Sequence, residues 1–165
     1  MTSAMASAPP QAGADVFDRI LEAPSGLVVL DSKDVHTLIG QFRVLARHSG
    51  QAVYLWQPDL GLGNLIDAHA RVPGSQRLGA ALRYMQQSMH FGVYLLMGLE
   101  PPLSAMDSTL LRQLAKPPTG HVRRVVLLDA SPALIDHLGD MAMRMKGQPD
   151  APLRPRLRDG RWLVA

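Results

Sequence analysis

Asp31, Trp56, Glu100 and Asp129 are the residues whose types and placement could do chemistry together. Each stands at or near the C-terminal end of a short apolar run: Gly26-Leu-Val-Val-Leu-Asp31, Ala52-Val-Tyr-Leu-Trp56, Gly92-Val-Tyr-Leu-Leu-Met-Gly98 and Arg124-Val-Val-Leu-Leu-Asp129. Runs of this kind, rich in Val, Leu and Tyr and almost free of alternation, suit strands covered on both faces. In open parallel sheets ligands bind outside the carboxyl ends of the strands, so these four residues form the candidate strand-end site. Asp31, Glu100 and Asp129 are hard oxygen ligands of the kind that bind Mg²⁺. The plainer reading, which the residue types favour, is that strand-end carboxylates shape loops or cap helices.

Other motifs are measured against what their chemistry requires. A phosphate-binding loop needs several glycines and a Lys-Ser/Thr pair, so that backbone N–H groups cradle phosphate. The first strand-to-helix junction reads Asp31-Ser-Lys-Asp-Val-His-Thr37. Lys33 and Thr37 are in place, but glycine is absent, and Asp31 and Asp34 would repel an anion. Gly61-Leu-Gly63 lacks a third glycine and does not join the first strand to a helix. A phosphate-accepting receiver site wants paired acids after the first strand, an Asp after the third and a later Lys. The chain offers Glu100 and no suitable Lys after its fourth strand. The histidines His36, His48, His69, His90, His121 and His137 lack paired ligand spacing, and no Gly-x-Ser-x-Gly elbow surrounds any serine. Arg154, Arg156, Arg158 and Arg161 with Trp162 form a candidate partner surface: Arg pairs with phosphate or carboxylate, and Trp stacks on bases.

The elements that must position these residues follow from capping and turn signals. Residues 1–14 are small and uncharged and are expected to be a disordered leader. Asp15 is expected to cap a helix through Glu22, Asp34 a helix to about His48, Ser75 a helix carrying Leu78, Leu82 and Met85, and Asp107 or Ser108 a helix carrying Leu110 and Leu114. Ser131-Pro132 is a strong helix start, with the helix expected to run to about Lys146. Between Trp56 and Pro73-Gly74 lies the longest irregular stretch. Asp159-Gly160 between short extended segments signals an edge hairpin or fifth strand over about 152–165. The expectation is a three-layer α/β sandwich over 15–165, a single domain with a mostly parallel sheet. Its RecA-like or P-loop-like strand order is 5-1-4-3-2, with the flavodoxin-like order 2-1-3-4-5 as the alternative.

Composition bounds the function classes. The 165 residues are 47% hydrophobic, enough for one domain with a real core. The net charge of +3 comes from 17 basic and 14 acidic residues, a small excess that argues only weakly for nucleic acid. The absence of cysteine excludes disulfides, thiolate metal sites and thiol nucleophiles, and is compatible with a reducing cytoplasm. No apolar run approaches the length of a membrane span.

The succession Gly26-Leu-Val-Val-Leu, then Ala52-Val-Tyr-Leu-Trp56 with Gly61-Leu62 soon after, then Gly92-Val-Tyr-Leu-Leu, then Arg123-Arg-Val-Val-Leu-Leu-Asp129 resembles one family over about residues 15–146. It is similar to the degenerate RecA-like N-terminal domain of plastid and cyanobacterial-type AAA+ ATPases, which carry a catalytically inert ATPase-like module ahead of an active one. The resemblance implies a RecA-like fold without turnover. Since the sequence ends where the active domain would begin, it also implies a free-standing pseudo-ATPase. The resulting expectation is a cytoplasmic, non-enzymatic interaction module of a larger bacterial assembly, with a protein partner and no cofactor or metal, and with a homo-oligomer left open. Two alternatives remain: a Mg²⁺-dependent nucleotide-binding or receiver-like regulator using the strand-end carboxylates, and a nucleic-acid-binding protein using the C-terminal arginines.

Overall fold

The computed structural model describes residues 8–147. In chain order these form α1 (Ala8–Glu22), β1 (Leu27–Asp31), α2 (Val35–Ser49), β2 (Val53–Gln57), β3 (Gly61–Asn64), β4 (Asp67–Arg71), α3 (Leu78–Gln87), β5 (Gly92–Leu96), α4 (Ala105–Leu114), β6 (Arg123–Leu128), α5 (Pro132–Leu138) and, after one 3-10 turn, β7 (Met143–Lys146). The sheet runs β4-β3-β2-β5-β6-β1-β7. Its β2, β5, β6, β1 and β7 are parallel neighbours, and β3 and β4 add an antiparallel hairpin outside β2. Numbering the parallel strands in chain order and reading from β7 gives 5-1-4-3-2, the expected RecA-like order.

The period-2 geometry of strands divides the apolar runs between two cores. Leu27, Val29, Tyr94, Leu96, Val125 and Leu127 face α3, α4 and α5, whose Leu82, Met85, Leu111 and Leu134 are fully buried. Val28, Leu30, Val93, Leu95, Val126 and Leu128 face α1 and α2, where Phe17 and Phe42 meet edge to face at 5.7 Å between ring centroids. Burial on both faces explains why β1, β5 and β6 lack alternation. The sandwich has three layers: two helices, the sheet, three helices.

Local signals set most boundaries. Asp34 caps α2, accepting from the Thr37 backbone N–H at 3.1 Å, and Gly50 ends it with left-handed φ of 74°. Ser131 accepts from the Leu134 N–H at 3.2 Å, with Pro132 opening α5. The cap of α4 is Ser104, which accepts from the Asp107 N–H at 3.0 Å, so Asp107 sits in the first turn rather than at the cap.

Several expectations are corrected. α1 starts at Ala8 instead of Asp15, so residues 8–14 are helix and not leader. Pro9 and Pro10 fall in its first turn, where the missing N–H groups cost nothing. The stretch after Trp56 is largely the β3–β4 hairpin and not an irregular loop. Ser75 does not cap α3, whose N-cap is Arg77. The helix opened by Pro132 ends at Leu138, because Gly139 takes φ of 56°, and Met143–Lys146 becomes the fifth parallel strand. The hairpin expected over 152–165 lies outside the described residues.

Candidate functional site

The C-terminal edge of the parallel sheet is where a nucleotide-binding relative would hold phosphate. At the end of β1 the chain turns through Ser32, Lys33 and Asp34 into α2. The N-terminus of a helix presents unpaired N–H groups and a positive dipole end, and so draws an anion. Here the anion is the chain's own Asp34. Its carboxylate accepts from the Thr37 N–H at 3.1 Å and from the Thr37 hydroxyl at 2.6 Å. The Thr37 hydroxyl bond, followed by the Thr37 backbone bond, holds the Asp34 carboxyl below its ordinary range against a small opposing effect of burial. Thr37, which in a phosphate loop would offer its hydroxyl to Mg²⁺, is committed to this cap.

β7 closes the same corner from the side. Arg144 pairs with Asp31 at 3.0 Å, with both side chains about half exposed. The Gly147 N–H donates to the Asp31 carbonyl. At Gly147 the strand presses on the β1–α2 turn so closely that a Cβ would stand 2.9 Å from Cβ of Ser32 and 3.0 Å from the Asp31 oxygen. Gly147 thus packs directly on the β1–α2 turn.

The other members of the expected strand-end site stand elsewhere. Trp56 is 3% exposed and lies in the core under α3 and α4, not at the rim. Its indole N–H donates to the Ser75 carbonyl at 2.7 Å. Ser75, 1% exposed, also accepts from the Leu62 N–H at 2.8 Å and donates to the Val72 carbonyl at 2.6 Å. Trp56 therefore ties the β3–β4 hairpin to the sheet. Glu100 is exposed in the loop after β5, and Asp129 is exposed after β6 with a left-handed φ of 61°. Among the described residues no three His, Asp or Glu side chains stand together as a group that could hold a metal ion. Arg154, Arg156, Arg158, Arg161 and Trp162 lie outside the described residues.

Sequence reasoning missed the buried arginines. Arg123 and Arg124, 6% and 8% exposed, open β6 and are turned inward. Desolvation lowers the pKa of both guanidiniums. It also missed the contact of Ser108 Oγ with His137 Nε2 at 2.9 Å, which joins α4 to α5 on the surface. A nucleophilic serine would need its histidine oriented by a third group. No hydrogen bond from His137 to a carboxylate is present among the described residues, so the pair reads as an interhelical clasp.

The comparisons bear on the whole of this frame. Curated protein sequences give no match to the chain. A family model, that of the N-terminal domain of SpoVK-like AAA ATPases, matches residues 14–147 and thus spans β1 to β7 and nearly all the packed helices. With a RecA-like strand order and a match over most of its length, the chain belongs to the SpoVK-like AAA ATPase N-terminal domain family.

Proposed function

We propose that this domain is a non-catalytic, pseudo-ATPase-like module that works in the cytoplasm through contacts with a protein partner in a larger bacterial assembly. The observation that carries the reading is the Asp34 carboxylate seated on the N-terminus of α2, bonded to both donors of Thr37. Phosphate would have to displace a fixed negative charge at the N-terminus of the helix that follows β1. The Arg144–Asp31 pair and the close packing of Gly147 support the reading, since they occupy the flank of the same corner. A module of an ATPase family that does not itself turn over nucleotide contributes through its surfaces, which is why the proposed partner is a protein.

Calorimetric titration of the full chain with ATP and GTP in Mg²⁺, paired with an assay for released phosphate, tests the proposal. The expected result is no micromolar binding and no turnover. Micromolar binding with turnover overturns it.

A further inference from the structure

On the α1/α2 side, the β3–β4 hairpin carries the sheet beyond the cover of α2. At this step lies a groove of about 150 Å³, lined by Arg43 from α2 and by Leu55, Gln57, Gly63, Asn64 and Arg71 from the strands. Register explains the grouping. Leu55 pairs with Gly63 and Gly63 pairs with Arg71, so their side-chain positions share one face of the sheet.

Both guanidiniums are held by backbone. Arg43 Nε donates to the Leu65 carbonyl at 3.1 Å, and Arg71 Nη1 donates to the Leu60 carbonyl at 3.2 Å. Arg71 lies across Gly63, where a Cβ would stand 3.2 Å from Nη1 and 3.4 Å from Cγ. The ladder shifts register between Gly63 and Asn64, an irregularity of the kind that re-aims side chains. Asn64 accepts from the Ile66 N–H through Oδ1 at 2.9 Å, and its NH₂ has no partner among the described residues. Among the described residues neither arginine has a carboxylate within ion-pair distance, Asp59 and Asp67 of the same hairpin included.

Two positioned guanidinium forks and two side-chain amides around a small groove make a set of donors without an acceptor of matching charge. Arg is suited to oxyanions because its planar donors meet two oxygens at once. A planar carboxylate is satisfied by one fork, whereas a tetrahedral anion presents oxygens on several sides and suits a groove lined by arginines of both α2 and the hairpin. We propose that this groove is an oxyanion site that takes a phosphate group, with Arg43 and Arg71 as its charged ligands. The site reaches from Arg43 within α2 to the β3–β4 hairpin, uses no residue of the β1–α2 turn, and does not depend on whether the domain hydrolyses nucleotide.

The test is a titration of the full chain with inorganic phosphate at constant ionic strength, followed by amide nitrogen–proton correlation spectra. Phosphoserine forms a second arm and acetate the control. The expected result is saturable movement of the Gly63, Asn64 and Leu65 signals, with Ser32 to Thr37 unmoved and acetate without effect. Arg43→Gln and Arg71→Gln should each weaken binding about tenfold, as expected for loss of a hydrogen bond to a charged group. Gly63→Ala keeps every charge and should weaken binding by displacing Arg71. Saturation at lower concentration by phosphoserine than by phosphate identifies an esterified ligand, and equal saturation a free anion. No saturable shift, an equal response to acetate, or undiminished binding in Arg43→Gln/Arg71→Gln with an unchanged circular dichroism spectrum overturns the proposal.

Discussion

Arg123 and Arg124 stand side by side at the start of β6 and cap two helices on opposite faces of the sheet. Arg123 Nη1 donates to the carbonyls of Met85 and Gln86 at the end of α3, at 3.4 and 3.3 Å. Arg124 donates to Ile20, Leu21 and Ala23 at the end of α1, at 3.1, 3.0 and 2.9 Å. Helix C-termini carry orphan carbonyls and a negative dipole end, so a buried guanidinium there finds partners that repay its desolvation. The alternation of a strand lets one dipeptide serve both layers.

Arg124→Met should therefore cost about 3 kcal/mol, the upper range for losing hydrogen bonds to a charged group and stranding buried acceptors. Arg124→Lys should recover little, because an ammonium cannot span the three carbonyls as a planar fork does. Arg123→Met should cost less, since its bonds are longer and its Nε is already buried without a partner. Urea unfolding gives the order, and faster amide exchange confined to α1 in the Arg124 variants checks the cause.

Trp56→Phe keeps most of the buried ring but removes the donor to the Ser75 carbonyl. A loss of about 1–3 kcal/mol is expected, the cost of an unsatisfied buried acceptor together with the smaller ring volume. Ser75→Ala strands the Leu62 N–H and should couple with Trp56→Phe in a double-mutant cycle, since both act on one turn. Strict additivity would show that the two residues do not hold the hairpin jointly.

What could be read from the residues follows from how local the signal is. The four apolar runs became β1, β2, β5 and β6, and the three of them buried on both faces, β1, β5 and β6, need continuous apolar residues. The hairpin was illegible: Gly61-Leu-Gly63-Asn64 and Asp67-Ala-His-Ala-Arg71 contain no β-branched residue, and their pairing rests on Trp56, Ser75 and the edge of β2. Met143-Arg-Met-Lys146 has helix-favouring residues, and tertiary pairing with β1 overrides that propensity. Strand ends placed Asp31, Glu100 and Asp129 at one edge, but side-chain convergence depends on loop paths that no short motif encodes. Trp56 shows the same limit, because only the register of β2 decides that its ring faces inward.

Asp34 gives stability a dependence on pH. Its folded carboxyl titrates below the ordinary range because Thr37 bonds the charged form. The stabilisation is therefore present above the unfolded carboxyl value of about 3.9 and is lost as pH falls through the lower folded value. Asp34→Ala should lower Tm near neutrality and converge with the parent at acidic pH. Thr37→Val removes the largest cause of the shift and should shrink the pH-dependent part, read from thermal melts across the acid range. A Tm difference that stays constant down to strongly acid pH would show that the cap does not depend on charge.

Asp129 separates a backbone role from a ligand role. It follows β6 with φ of 61°, a conformation in which a Cβ-branched residue is strained and Asp or Asn is tolerated. Asp129→Asn and Asp129→Gly should leave stability within about 0.5 kcal/mol, while Asp129→Val should lose about 1–2 kcal/mol. A carboxylate that held Mg²⁺ would behave differently, since binding to the native state raises Tm by mass action and the neutral amide would abolish that rise. Because Asp31 is turned to Arg144 and the strand-end acids do not converge, added Mg²⁺ should leave the Tm of the parent and of Asp129→Asn unchanged. A Mg²⁺-dependent rise that disappears in Asp129→Asn would return the strand-end carboxylates to the role of a cation site. Equal melts in both proteins, with loss only in Asp129→Val, assign Asp129 to the turn that delivers Ser131 to the head of α5.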